Sequence, residues 1–187
     1  LKAFIDGNYS AWDDISDETD DGSVAILMTR GELTAELSTK SVAEDDDFTI
    51  SGTAKGSKEV DIVIVAPKGA GGTTIVSGGK ELKNQKGIYH TSTSVSRTDD
   101  TFSKKIDVGA NIDTGSYLVV VLSKGSDDIY GDNPESTDLD KAIAGYSLGA
   151  KTQKQILTII EDATWGAAGS DDLYWAGYVK VESAYVK

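Results

Sequence analysis

Few residues of this chain have the chemistry to act on a substrate. It has one histidine, His90, and no cysteine, so thiolate catalysis, thiolate metal sites and disulfides are excluded. A nucleophilic site needs a base beside its nucleophile. His90 is the one imidazole available, and it stands within a strand pattern, where an exposed or capped position is expected of it. No serine occupies a G-x-S-x-G elbow. The stretch Pro67-Lys68-Gly69-Ala70-Gly71-Gly72-Thr73-Thr74 follows a strand, as a phosphate cradle would. Gly72, however, stands where a Walker loop needs its lysine, so we read a hairpin loop. Carboxylates are numerous enough that a pair at glycosidase spacing is expected by chance. No enzymatic activity is expected.

The acids are more informative as clusters. Calcium seeks several oxygen ligands from carboxylates and carbonyls, and four loops offer them: Asp20-Asp21, Glu44-Asp45-Asp46-Asp47, Asp127-Asp128 with Asp132, and Asp171-Asp172. None has EF-hand spacing. Asp127, Asp128 and Asp132 share one tight segment with Gly125, Tyr130 and Gly131 and form the leading candidate. The plain alternative for every one of these loops is a solvated acidic turn. Calcium is the one cofactor considered, and no organic cofactor is expected. Asn8-Tyr9-Ser10 fits an N-glycosylation sequon. Trp12, Trp165 and Trp175 could stack on sugar, although core or interface anchoring is the commoner use of tryptophan.

Charge narrows the partners. Against 18 basic residues stand 31 acidic ones, a formal net charge of −13. Such a surface repels phosphate backbones and anionic lipid, so no nucleic acid is expected as a partner. No apolar run is long enough to span a membrane. The chain opens at Leu1 without a signal-peptide pattern, which suggests a mature or excised segment of something longer.

The elements that must position these groups are mainly strands. Residues 1–30 are acidic and of mixed pattern, and read as an N-terminal arm or connector, with a strand at 24–29. From residue 31 the pattern is β: Leu33, Ala35 and Leu37 alternate with polar residues, as do Phe48, Ile50, Gly52 and Ala54. Residues 60–66 (V-D-I-V-I-V-A) and 116–122 (S-Y-L-V-V-V-L) are apolar on both faces, like interior strands. Further strands are predicted at 74–77, 87–95, 101–108 and 173–186. Between 134 and 166 the pattern turns helical, with Asp138 and Thr152 as N-caps and a helix from about 152 to 165. The predicted fold is all-β, an immunoglobulin-like two-sheet antiparallel sandwich over 31–187 with a short helical insertion before the last strand.

Residues 48–54 (FTISGTA), 60–69 (VDIVIVAPKG), 101–108 (TFSKKIDV), 114–123 (TGSYLVVVLS), 130–132 (YGD), 151–157 (KTQKQIL) and 169–173 (GSDDL) make an ordered set. In order and spacing it resembles the β-sandwich repeat of the S-layer and cell-surface glycoproteins of methanogenic archaea. The resemblance covers residues 47 to about 187. It implies an extracellular, often glycosylated structural domain that self-assembles with copies of itself or with adjacent surface-layer domains into a layer, sheath or filament. It transfers no catalytic residue. With the acidic loops, it suggests contacts bridged by cations. An extracellular adhesin or carbohydrate-binding module is the rival expectation.

Overall fold

Alternating stretches and continuously apolar stretches end up in different sheets. The computed structural model describes the backbone of Lys2–Ala3 and Gly22–Ser23 and residues 31–184. The chain divides into two units, Leu1–Arg30 and Gly31–Lys187. In the first, β1 (Lys2–Ala3) pairs antiparallel with β2 (Gly22–Ser23). The strand predicted at 24–29 lies outside the described residues, as do Asn8, Trp12, Asp20 and Asp21.

In the second unit, β3 (Glu32–Leu37), β5 (Asp47–Lys55) and β8 (Thr101–Asp107) form an antiparallel sheet in the order β3-β5-β8. These are the alternating stretches. Phe48, Ile50, Phe102 and Ile106 turn inward. On the other face the hydroxyls of Thr34 and Thr53 meet across the strands at 2.8 Å.

The second sheet is built from β4 (Ser41–Ala43), β6 (Glu59–Val65), β7 (Ile88–Ser94), β9 (Gly115–Ser123) and β10 (Leu173–Glu182), in the order β4-β10-β9-β6-β7. The two continuously apolar strands, β6 and β9, lie side by side near its middle. Val60, Ile62, Ile64, Tyr117, Val119 and Val121 face the three-stranded sheet and make the sandwich core. Val63, Val65, Leu118, Val120 and Leu122 face the other way, into a second core. Each such side chain contributes roughly 1.5–3 kcal/mol on full burial, so neither face can be left in water.

The helical insertion covers that second face. α1 (Leu139–Ala142) is capped by Asp138, whose side chain accepts from Lys141 N at 2.9 Å. α2 (Gln153–Ala163) starts in a capping box, with Thr152 and Gln155 each satisfying the other's backbone N–H. Ile156 and Ile160 on α2, with Leu139, Ile143 and Leu148, pack on the sheet. Gln153 Nε2 donates to Val65 O at 3.0 Å and Ser116 O at 2.8 Å, pinning the first turn of α2 to the ends of β6 and β9. The all-β sandwich is therefore present, with the insertion as a third layer on one face.

Three local expectations are corrected. Residues 74–77 form no strand: the connection from β6 to β7 runs through two short 3-10 turns, Gly69–Gly71 and Leu82–Asn84. Ile75 is buried in the sandwich core, and its carbonyl accepts from Gly109 N at 2.8 Å, so the backbone bonds to a loop and not to a ladder. The last strand stops at Glu182. Not every pair is antiparallel: β4 runs parallel to β10, with Lys180 opposite Ser41 and Glu182 opposite Ala43.

Gly52 marks a close approach between strands. It sits on β5 opposite Ala35 and Phe102, and a Cβ there would stand 1.9 Å from the carbonyl oxygen of Thr34. Gly52→Ala must push β3 off β5. We expect a loss of about 1–3 kcal/mol, read as a fall in Tm by thermal circular dichroism; an unchanged Tm would contradict this packing.

Candidate functional site

One charged side chain lies within the second core. Asp61 is the buried acidic residue on the outer-face row of β6, beside Val63 and Val65, and only 5% of it is exposed. An isolated carboxylate in such a place would be costly. His90, from β7, places Nε2 2.7 Å from Asp61 Oδ1, and the Tyr130 hydroxyl donates to Asp61 Oδ2 at 2.6 Å. Burial pushes the Asp61 carboxyl upward, but the bonds from His90 and Tyr130, with the charges of His90 and Lys124, outweigh it and hold the group below its ordinary value. Tyr130 is pushed far upward, first by burial and then by the charge of Asp61. Lys124 Nζ lies 5.8 Å from the centre of the Tyr130 ring.

His90 is thus buried and paired, which corrects the expectation of an exposed or capped strand position. Its Nδ1 has no partner among the described residues. A carboxylate and an imidazole in contact form half of a nucleophilic constellation. Here the third member is a phenol bonded to the same carboxylate, so the set ties β6 and β7 to the loop carrying Tyr130. A groove of about 750 Å³ opens elsewhere, between Thr34, Ser51, Gly52, Ser94 and Phe102, and neither His90 nor Asp61 lines it.

The acidic loops serve their own backbones. Asp46 Oδ1 accepts from Asp47 N at 2.9 Å, Asp47 pairs with Lys105 at 3.0 Å, and Asp45 adopts a left-handed φ of 62°. Asp127 Oδ1 accepts from Ile129 N at 3.1 Å, and Asp128 pairs with Lys58. Asp132 is exposed. The fold does bring two of the predicted loops together. Asp171 Oδ2 accepts from Ser126 N at 2.9 Å and Ser126 Oγ at 2.6 Å, and Asp172 Oδ2 accepts from Gly131 N at 2.7 Å. Burial is the main force that pushes the Asp172 carboxyl up to about 6, with the charges of Asp127 and Asp171 adding to it. Asp172 Oδ1 is buried without a partner among the described residues. Among the described residues, no three histidine or carboxylate groups converge closely enough to hold a metal ion.

Aromatic residues gather nearby. Trp165, just beyond α2, stacks on Tyr174 with ring centres 4.0 Å apart. Tyr174 and Tyr178, on the outer face of β10, are 48% and 57% exposed. Trp175 turns the other way and packs against the sandwich core. Sequence patterns singled out the tryptophans, but did not identify the two exposed tyrosines as a pair. Their two-residue alternation within β10 was the available signal.

Over 155 residues, or 80% of its length, the chain is 32% identical to the cell surface glycoproteins of two strains of Halobacterium salinarum. It spans about 16% of the length of those curated relatives. No family model matches the chain. The chain is thus related to part of a cell surface glycoprotein.

Asp61 and Asp172 give opposite pH signs. Asp61, held low, stabilises the fold at pH values above its unfolded pKa, and that contribution is lost as pH falls through its folded value. Asp172, raised to about 6, binds its proton more tightly when folded, so its ionisation costs stability as pH rises from about 4 through 6. We predict that Asp172→Asn raises Tm by several degrees at pH 7.5, and that the gain shrinks towards zero below pH 4. A gain of the same size at both pH values would show that Asp172 is not the group responsible.

Proposed function

We propose that this chain is a structural domain of an archaeal cell surface, extracellular and glycosylated, which self-assembles with copies of itself or with adjacent domains into an S-layer, sheath or filament. The observation that carries this reading is the 32% identity over 155 residues to cell surface glycoproteins. The two-core sandwich supports it, because a sheet buried on both faces suits a load-bearing unit. The Asp61 set supports it too, since both Asp61 oxygens are taken up by His90 and Tyr130 in bonds that tie the elements together. No catalytic role is proposed.

Cations enter this reading through charge. A domain at −13 repels its own copies unless counterions gather between them. We place calcium at facing acidic loops of neighbouring copies, with Asp127, Asp128 and Asp132 from one side, joined by Asp171, Asp172 or Asp45, Asp46 and Asp47. Asn8 is the proposed glycosylation site. An adhesin or carbohydrate-binding module is the rival, and the exposed Tyr174 and Tyr178 favour it. It requires sugar binding that either Tyr174→Ala or Tyr178→Ala abolishes.

Electron microscopy of the purified protein tests the first reading. Ordered sheets, tubes or filaments are expected in calcium, loosening in chelator. Single particles in both conditions would overturn it, and a glycan bound by those particles would install the rival.

A further inference from the structure

Along most of its length β10 is hydrogen-bonded on one side only, with β3 of the other sheet lying close by. Its β9 side is bonded from Leu173 to Val181. On its other side β4 reaches only Lys180, Val181 and Glu182. Lys180 N donates to Lys40 O at 2.9 Å, and Glu182 O accepts from Glu44 N at 3.0 Å, so the even-numbered residues turn their backbone groups to the β4 side. By the two-residue period, Tyr174, Ala176 and Tyr178 do the same. Among the described residues, no strand pairs with β10 there.

Unpaired edges invite another strand, and proteins usually guard them with charge, shortness or a covering loop. The other edges of this unit are guarded in these ways. β3 carries Glu32 and Glu36, and β8 carries Lys104, Lys105 and Asp107. β4 has three residues. β7 is covered where His90 N donates to Lys80 O at 2.9 Å. Residues 173–179, Leu-Tyr-Trp-Ala-Gly-Tyr-Val, have no charge and no proline.

We propose that two copies of this chain join through this edge, β10 to β10, antiparallel about Ala176, so that the five-stranded sheet runs on from one copy into the next. The inference rests on the self-assembly reading above and names its contact. The sequence is complementary to itself in that register. Ala176 faces its own copy and Tyr174 faces Tyr178, and the new ladder ends before Val179, where Lys40 already lines the edge. Trp175 faces Gly177, whose lack of a side chain already lets the Trp175 ring lie over it within one chain, where a Cβ would stand 2.4 Å from the indole. The outward N–H and C=O groups of Tyr174, Ala176 and Tyr178 would close roughly six ladder bonds. Facing tyrosines would pair across the strands on the outer face. In a molecule at −13, residues 173–179 add no like-charge repulsion of their own to the approach of a second copy.

Sedimentation velocity of the full chain over a range of concentrations tests this. Ala176→Pro removes only an N–H that faces the open edge, so the bonds to β9 stay intact. Ala176→Lys sets two ammonium groups face to face. The parent chain is expected to associate, and both variants to weaken that association at least tenfold with circular dichroism and Tm unchanged. Ala176→Cys, in a chain with no other thiol, should be linked into dimers by a short bis-maleimide, and Tyr146→Cys, also exposed, should not. If Ala176→Lys associates as well as the parent, or if the two cysteine variants cross-link equally, this contact is overturned while self-assembly stands. A parent chain that stays monomeric and forms no ordered array overturns both.

Discussion

β6 and β9 are apolar in both directions, so the sheet they centre must be covered on two sides at once. The three-stranded sheet covers one side. The other is covered by a segment that interrupts the strand pattern between β9 and β10, and its helices are fixed by named devices: the Asp138 cap, the Thr152–Gln155 box and the Gln153 bonds to Val65 and Ser116. The β6–β7 connection joins this layer, since Ala70 N donates to Lys151 O at 2.9 Å. The apolar residues of this second core would otherwise face water, and a helix as short as α2 is marginal without such a face to pack on. Sheet and insertion therefore stabilise each other. Asp61 follows from the same constraint: a carboxylate on the covered face must bring its partners with it, and His90 and Tyr130 lie 29 and 69 residues away in sequence.

Local patterns made much of this legible. Period-two alternation marked β3, β5 and β8 as one-faced strands, and continuous apolar runs marked β6 and β9 as interior. Both helix caps were readable from single residues. What escaped was whatever depends on distant parts of the chain. β4 is three residues long, too short for a period, and its parallel pairing with β10 is fixed only when the sheet closes. Ile75 looked like part of a strand because it is apolar, yet its burial comes from a loop tucked under the sandwich. His90 has an ordinary strand position. Only the register of β7 against β6, with His90 opposite Val63, sets it one diagonal from Asp61. Of the site residues, the meeting of the 125–132 loop with Asp171 and Asp172 was invisible for the same reason.

The carboxylates explain how a chain with 2 prolines and 20 glycines holds its loops still. Glu44 accepts from Ile112 N at 3.1 Å and from Ala184 N at 3.3 Å, Asp113 accepts from Thr73 N at 2.7 Å, and Asp171 and Asp172 accept from the turn at 126–131. An acid that caps a turn in this way is fixed in position and partly coordinated already. It has fewer lone pairs left to surround an ion within one domain. It still has its charge and an outward oxygen, which are what an ion shared between two domains would use. A sequence rich in acids thus signals ordered turns first, and a cation preference only through its neighbours.

That division of labour shapes the surface. Charge is concentrated on loops and on the rims of β3 and β8, where it holds turns and guards edges, while residues 173–179 are left neutral along a strand edge with no partner strand among the described residues. Neutrality there has a cost that selection against aggregation would normally remove. The sandwich core does not demand it, because Tyr174, Ala176 and Tyr178 point away from that core, Tyr174 stacking on Trp165 of the insertion instead. Two large aromatic residues exposed on that face, on either side of an alanine, make sense as a surface kept for contact. The same residues that the core leaves unexplained are the ones an assembling structural domain would need.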